Sequence, residues 1–145
     1  LSGQAARRDF KERGLLKMEK TVRKLLIVDD EKDICDLLTQ MLEHKGYKVS
    51  IANLCKDAIP IIKQENPEIM LLDRRLPDGD GIDLLEDIRK FNIELKVIMA
   101  SAYDLDDADK KRIKDLNVLE YLHKPITVDI LNKALEKVSA ATKVG

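Results

Sequence analysis

The stretch that decides the fold is IMLLDRRLPDGDG, residues 69–81. Its first four residues form an unbroken apolar run that ends at Asp73, and Pro77 and Gly79 follow closely. An apolar run of this length, bounded by turn residues, is typical of a strand that is buried on both faces and opens into a loop. Chemistry in open parallel sheets collects at the carboxyl ends of the strands, so Asp73 is a candidate functional residue. A turn-forming Asp is the alternative interpretation.

The rest of the chain alternates between strand and helix patterns. Strand-length apolar segments lie at residues 24–28, 47–51, 95–100 and 118–123. Segments with helical spacing of apolar residues lie around 34–42, 58–62, 81–91, 104–116 and 127–138. Short connections and right-handed crossovers leave few topologies for such an alternation. We predict an α/β fold of flavodoxin-like type, with five helices around a doubly wound five-stranded parallel sheet of order 2-1-3-4-5.

Four local features of the helices can be tested against a structure. Leu37 falls on the predicted inward stripe of the first helix. Pro60 lacks a backbone N–H, which predicts a late start or a kink in the second helix. Asp104 is the predicted N-cap of the fourth helix, and Thr127 that of the fifth.

A length of 145 residues predicts one domain with a real core. Residues 1–17 are rich in charge and do not begin with Met, whereas Met18 resembles a natural start. We therefore expect the domain to span residues 18–145. Residues 1–17 are expected to be a mobile leader, linker or cloning remnant, with a docked helix as the alternative.

Composition excludes several classes of function. The chain has 26 basic and 27 acidic residues, and a net charge of -1 indicates neither a nucleic-acid-binding nor a membrane surface. The apolar runs are only strand-sized and no signal peptide is visible, so we expect a soluble, cytoplasmic protein. Cys35 and Cys55 are far apart with no CxxC motif, which argues against a thiolate metal site or a disulfide.

Polar residues follow four of the predicted strands: Asp29 and Asp30, Asp73, Ser101, and Lys124. The first and third strands are neighbours in the predicted order, so Asp29, Asp30 and Asp73 should converge. Carboxylates that close repel one another and require a counter-charge, which Mg²⁺ and Lys124 would supply. Mg²⁺ combines one or two carboxylates with phosphate oxygens, so the pattern predicts phosphoryl transfer with a carboxylate nucleophile.

With these residues at successive strand ends, residues 24–138 resemble the receiver domains of two-component response regulators. The resemblance implies that Asp73 accepts a phosphoryl group from the phosphohistidine of a histidine kinase or phosphotransfer protein. It also implies that Asp30, Asp73 and the Arg75 backbone carbonyl ligate Mg²⁺, while Asp29 acts through a water molecule.

The same resemblance implies a switch. The hydroxyl of Ser101 would turn toward the phosphoryl group, Lys124 would pair with that group, and the ring of Tyr121 would move inward as Ser101 moves. The surface of the fourth helix, fifth strand and fifth helix would then change, which allows a phosphorylation-dependent homodimer. We expect a cis Lys124–Pro125 bond, no enzyme activity beyond the domain's own phosphorylation and dephosphorylation, and no direct contact with nucleic acid or membrane.

Arg75 is two residues after Asp73, and Tyr103 is two after Ser101. By the resemblance, both flank the line along which water would attack an acyl phosphate, so a long cation at Arg75 could tune the lifetime of that species. A solvated loop is the alternative for Arg74 and Arg75.

Three other functions fit parts of the pattern. A haloacid-dehalogenase-type phosphatase would need a second Asp two residues after the nucleophile, where this chain has Arg75. A flavin- or nucleotide-binding protein would need a phosphate-cradling loop after the first strand, where Asp29, Asp30 and Glu31 repel phosphate unless a metal intervenes. A receiver-like scaffold that is never phosphorylated is the third alternative.

Overall fold

The computed structural model of the chain describes residues 22–144. The predictions for residues 1–17 lie outside these described residues. The elements are β1 (Lys24–Val28), α1 (Lys32–His44), β2 (Lys48–Ala52), α2 (Cys55–Glu65), β3 (Ile69–Asp73), β4 (Arg75–Leu76), β5 (Gly79–Asp80), α3 (Gly81–Arg89), β6 (Lys96–Ser101), α4 (Asp107–Asp115), β7 (Val118–His123) and α5 (Val128–Val144). None of the helices in this described part has both the length and the apolar character that crossing a membrane requires.

Five of the strands form one parallel sheet in the order β2-β1-β3-β6-β7. Counted without the two short strands, this is the predicted order 2-1-3-4-5, so the predicted fold class is confirmed. Strands β4 and β5 form a separate antiparallel ribbon immediately after Asp73, which the sequence did not predict. The register pairs Val28 with Leu72 and Asp73 with Ala100, so the carboxyl ends of β1, β3 and β6 lie side by side.

The core has two layers, one on each face of the sheet. Successive side chains of a strand point to opposite faces. In β1, Leu26 and Val28 therefore pack with α2 and α3, whereas Leu25 and Ile27 pack with α1 and α5. All four side chains are buried, which explains why the central strands are continuous apolar runs in the sequence.

Helix α1 presents most of the predicted stripe to the core, and Leu37 is the exception. Cys35, Leu38 and Leu42 are buried, whereas Leu37 is 68% exposed. Leu37 and Leu38 are adjacent, so they lie about 100° apart around the helix and cannot both face the core centrally. The thiol of Cys35 donates a hydrogen bond to the Asp29 carbonyl, 3.4 Å away, which favours the stripe that includes it.

Helix α2 begins at Cys55 and continues through Pro60, so the expected late start is wrong. Its first backbone N–H groups are capped from a distant part of the chain. The carboxylate of Asp78 accepts hydrogen bonds from the N–H of Cys55 at 2.8 Å and of Lys56 at 3.1 Å. These hydrogen bonds lower the pKa of Asp78, and the bond from the N–H of Cys55 has the largest effect. The cap fixes the start of the helix upstream of the proline.

The N-cap of α4 is Asp106, not the predicted Asp104. The Asp106 carboxylate accepts a hydrogen bond of 2.7 Å from the backbone N–H of Asp109, whereas Asp104 contacts His123 at the end of β7. The predicted cap of α5 is confirmed, since the Thr127 hydroxyl oxygen accepts a 3.2 Å hydrogen bond from the N–H of Ile130.

Candidate functional site

Three carboxylates meet at the carboxyl ends of β1 and β3. Asp29 and Asp30 follow β1, and Asp73 is the last residue of the neighbouring strand. Each offers an oxygen, and these atoms all lie within 4.8 Å of one another. Asp29 and Asp73 are buried, whereas Asp30 is exposed. The convergence predicted from the strand order is therefore present in the structure.

Lys124 bridges two of these carboxylates. Its ammonium nitrogen donates hydrogen bonds to Asp29 Oδ2 at 2.9 Å and to Asp73 Oδ2 at 3.0 Å. The side chain is only 13% exposed. Lys124 follows β7, its backbone N–H donates to the Ser101 carbonyl, and its bond to Pro125 is cis, as the resemblance implied. The path of β7 thus brings one cation from the far side of β6 to the acidic cluster.

The pKa values of this pair reflect burial and mutual charge. Burial alone would lower the pKa of Lys124, but the hydrogen bonds to Asp29 and Asp73 outweigh it and raise that pKa, so the ammonium stays charged at neutral pH. Burial raises the pKa of Asp73 above its usual 3.8, and Lys124 opposes this shift only in part. Asp73 is therefore a carboxylate whose charge is incompletely compensated by the protein.

The acidic cluster suits a hard divalent cation. Three carboxylates and one ammonium leave an excess of negative charge, and carboxylate oxygens are the ligands that Mg²⁺ prefers. The observation that favours such a cation here is the approach of three carboxylate oxygens within 4.8 Å of one another beside the single ammonium of Lys124, because a further cation would stabilise their ionised forms.

Ser101 and Tyr121 are connected through the backbone of Tyr103. The buried hydroxyl of Ser101 accepts a hydrogen bond from the N–H of Tyr103 at 3.1 Å. The hydroxyl of Tyr121 donates to the Tyr103 carbonyl at 2.5 Å. The sequence indicated all three residues, but it gave no sign of the hydrogen bonds through which Tyr103 joins the other two.

The two arginines after Asp73 reach different partners beyond β6, Arg75 in the loop before α4 and Arg74 in α4 itself. The Arg75 guanidinium lies 4.3 Å from the centre of the Tyr103 ring, an exposed cation–π contact. Arg74 is almost buried and forms an ion pair of 2.8 Å with Asp109 in α4. The solvated-loop interpretation is therefore wrong for Arg74. Neither contact has a local sequence signal, because each partner lies about thirty residues further along the chain.

Gly81 fits tightly behind Asp73. Its N–H donates a 2.5 Å hydrogen bond to the Arg74 carbonyl, and an ideal Cβ at Gly81 would lie 2.4 Å from the Asp73 carbonyl oxygen. Asp80 caps the helix that begins there, with its carboxylate accepting a 2.7 Å hydrogen bond from the N–H of Ile82. The first turn of α3 thus packs directly on the backbone of Asp73.

Comparison with known proteins agrees with this geometry. A family model described as the response regulator receiver domain matches residues 25–136. A CheY-like receiver domain protein from Methanospirillum hungatei is 32% identical, with a TM-score of 0.78 over 86% of this chain and 100% of its own. The signal receiver domain of a putative Luxo repressor protein from Vibrio parahaemolyticus is 26% identical, with a TM-score of 0.75 over 83% and 93%. A two-component response regulator from Clostridium difficile is 29% identical, with a TM-score of 0.74 over 81% and 96%.

Proposed function

The chain belongs to the response regulator receiver domain family, and on that premise we propose that it is a phosphoacceptor of a two-component phosphorelay. Asp73 takes a phosphoryl group from the phosphohistidine of a histidine kinase or phosphotransfer protein. The activity is confined to this gain and the later loss of the phosphoryl group, without turnover of a separate substrate. A cytoplasmic location follows from the proposed donor.

The observation that carries the proposal is the position of Lys124 between Asp29 and Asp73. Asp73 is the last residue of a fully buried strand, at the carboxyl-terminal end of the sheet. Its carboxylate is therefore fixed in place, as a nucleophile should be. The ammonium of Lys124 lies beside the attacking oxygens, where it stabilises the negative charge that develops on a transferring phosphoryl group.

We assign Mg²⁺ to the acidic cluster, with Asp30, Asp73 and the Arg75 carbonyl as its ligands and Asp29 acting through water. When bound, the ion supplies further positive charge to the phosphoryl oxygens. The surplus negative charge of the three carboxylates supports this assignment, because Lys124 compensates only one unit of it.

The proposed output is a shift of the surface formed by α4, β7 and α5. Ser101 would turn its hydroxyl toward the phosphoryl group and so release the N–H of Tyr103. Because the Tyr103 carbonyl also accepts from Tyr121, that change would reach β7 through a single residue. A modification that stabilises one of two pre-existing arrangements shifts their populations, and the shifted surface is where a homodimer would form.

The exposed Leu37 supports a docking role for α1. It lies on a helix that begins two residues after Asp30 and points away from the core. A largely exposed leucine on a helix that begins next to the acidic cluster fits an apolar contact with the helix that carries the donor histidine. Leu37→Ser should therefore slow transfer from the kinase while leaving transfer from a small phosphodonor unchanged.

The test of the proposed function is incubation with Mg²⁺ and acetyl phosphate, followed by intact-mass measurement. We expect a phosphoryl adduct on the native protein and none on Asp73→Asn. Asp83→Asn, which removes an exposed carboxylate on α3, is the matched control and should retain the adduct. An adduct that persists on Asp73→Asn would move the site elsewhere. If neither acetyl phosphate nor a cognate kinase gave an adduct, the protein would be a scaffold.

The stacked pair of Arg75 and Tyr103 is proposed to set the lifetime of the adduct. The pair crosses from the loop after Asp73 to the loop after Ser101 and would restrict the approach of water. Tyr103→Ala should shorten the lifetime several-fold, and Tyr103→Phe, which retains the ring, should not. An equal lifetime in the native protein and Tyr103→Ala would exclude this role.

A further inference from the structure

Helix α4 is attached to the rest of the molecule mainly by charged groups. The structure describes this helix in full, and none of its nine residues is buried. Only Ile113, together with Leu116 just after the helix, packs partly buried against the core. Arg112 forms ion pairs with Asp83 and Glu86 on α3, but these are exposed to solvent. An element with so little apolar burial is held by whichever polar contact is shielded from water.

The shielded contact is the ion pair between Arg74 and Asp109. Their side chains are only 11% and 14% exposed, and Arg74 Nη1 lies 2.8 Å from Asp109 Oδ2. A second carboxylate, that of Asp80, lies 3.7 Å from Arg74 Nε, beyond hydrogen-bond distance. Water screens such a buried pair less than the exposed pairs of Arg112, so it contributes more to the position of α4.

The backbone of Arg74 is fixed independently of its side chain. Its N–H donates to the Ala100 carbonyl at 3.0 Å, and its carbonyl accepts from Gly81. The close approach of Gly81 leaves no space for this peptide to move toward α3. The ion pair therefore connects a rigid point, adjacent in the chain to the phosphoacceptor, with a loosely packed helix.

We propose that Arg74 is a positioning residue that ties α4 to the phosphoacceptor strand through Asp109. The first turn of α4 follows the loop after Asp73 because of this tether, and not because of packing on the core. The tether gives α4 a connection to the site that is separate from Ser101, Tyr103 and Tyr121. Its effect on signalling rests on the proposed function, whereas the tether itself does not.

The tether is tested by hydrogen exchange of the unphosphorylated protein, read by mass spectrometry over residues 109–113. Arg74→Met and the isosteric Asp109→Asn should each accelerate exchange at least about thirtyfold, because either one breaks a shielded pair. The matched control is Arg112→Met on the same helix, which removes only exposed pairs and should accelerate exchange less than about fivefold. Exchange in Arg74→Met no faster than in Arg112→Met would overturn the proposal.

Two further variants separate the tether from a general loss of stability. Arg74→Lys keeps the charge but not the planar fork, so its exchange should fall between those of the native protein and Arg74→Met. In Arg74→Met combined with Asp109→Asn, the two effects should not add, because either substitution alone already breaks the same pair. Full additivity would overturn the proposal, and Arg74→Lys replaces Arg74→Met in this comparison if Arg74→Met is too unstable to measure.

The effect on signalling is measured after treatment with Mg²⁺ and acetyl phosphate. Arg74→Met should retain the phosphoryl adduct by intact mass, while the difference in exchange at residues 109–113 between treated and untreated protein shrinks. An undiminished difference in a fully phosphorylated Arg74→Met would exclude transmission through the tether. If the native protein gave no adduct with acetyl phosphate or with a cognate kinase, the proposed function would fail, whereas the exchange results on untreated protein would stand.

Discussion

All five residues of β3 are buried, whereas none of the nine residues of α4 is. Strand β3 pairs with β1 on one side and β6 on the other, and its side chains enter both layers of the core. Helix α4 instead depends on the ion pairs of Arg74 and Arg112 and on backbone carbonyls at its end that accept from Arg89. In the mechanism that we propose, β3 carries the phosphoacceptor and α4 belongs to the output surface that responds to it.

The contrast indicates that β3 and α4 have different functions. A phosphoacceptor must hold its carboxylate in one place, and burial on both faces of β3 does this. An output surface must change at small free-energy cost, and elements that move are drawn from the weakly held part of a fold. Four measurements would break or sharpen this comparison.

The largest effect is expected from truncation of the buried strand. Leu72 in β3 is fully buried, and Leu72→Ala should lower the free energy of unfolding by about 2–5 kcal/mol. Ile113→Ala in α4 is the matched truncation of a partly buried side chain and should cost less than about 1.5 kcal/mol. Urea unfolding of both variants measures the difference. Equal losses would show that α4 is a core element after all.

A smaller loss is expected at the end of α4. Arg89 donates hydrogen bonds to the carbonyls of Leu116 at 2.8 Å and Leu95 at 2.7 Å, so Arg89→Met leaves carbonyl acceptors without their donor. We expect the free energy of unfolding to fall by about 1.5–3 kcal/mol, the usual range for hydrogen bonds to charged groups. Arg112→Met, in exposed ion pairs, should change it by at most about 1 kcal/mol. If Arg112→Met lowered the free energy of unfolding more than Arg89→Met, the exposed ion pairs would be what holds the helix.

Neutralising the phosphoacceptor should stabilise the protein. The folded-state pKa of Asp73 lies above its usual 3.8, chiefly because of burial, so the folded protein binds this proton more tightly than the unfolded chain. Stability therefore falls as pH rises through the interval from 3.8 to the raised value.

In metal-free buffer at neutral pH, we expect Asp73→Asn to gain about 0.5–2 kcal/mol, the range common for single stabilising substitutions. Its stability should also vary less with pH in that acidic interval. Thermal unfolding over a pH series measures both. A less stable Asp73→Asn with an unchanged pH profile would mean that the contact with Lys124 outweighs the burial of the charge.

The smallest effect concerns salt. Raising the ionic strength screens the exposed pairs of Arg112 but not the shielded pair of Arg74 and Asp109. We expect 1 M NaCl to change the free energy of opening, measured by hydrogen exchange, by less than about 1 kcal/mol for the α4 amides. The same free energy for the β3 amides should not change. A large acceleration throughout α4 would show that solvent-exposed charges carry most of its attachment.

The fold and the acidic cluster could be predicted from the sequence because both depend on regular geometry. An unbroken apolar run such as residues 69–72 encodes burial on both faces, and parallel strands bring their carboxyl ends to one edge. Asp73 ends a strand, and Asp29 and Lys124 each follow one directly, so the strand order sufficed to bring them together.

Contacts between distant segments could not be predicted. Helix α2 starts at Cys55 because Asp78 caps it from 23 residues away, and no local pattern reports such a partner. The predicted N-cap of α4 was wrong because several aspartates precede that helix. The hydrogen bond from Tyr121 to the loop before α4 is also not visible in the sequence. The tether from Arg74 to Asp109 was missed for the same reason.

The closeness of Gly81 to Asp73 has a consequence for anyone who varies this protein. Alanine is ordinarily a better helix former than glycine, so a stability-guided redesign would replace the glycine at the start of α3. Here a methyl group would push on the carbonyl of Asp73, 2.4 Å away, and displace the acceptor carboxylate from Lys124. In a saturation library at this position, selection for signalling should return glycine alone, even where helix propensity favours every other choice except proline.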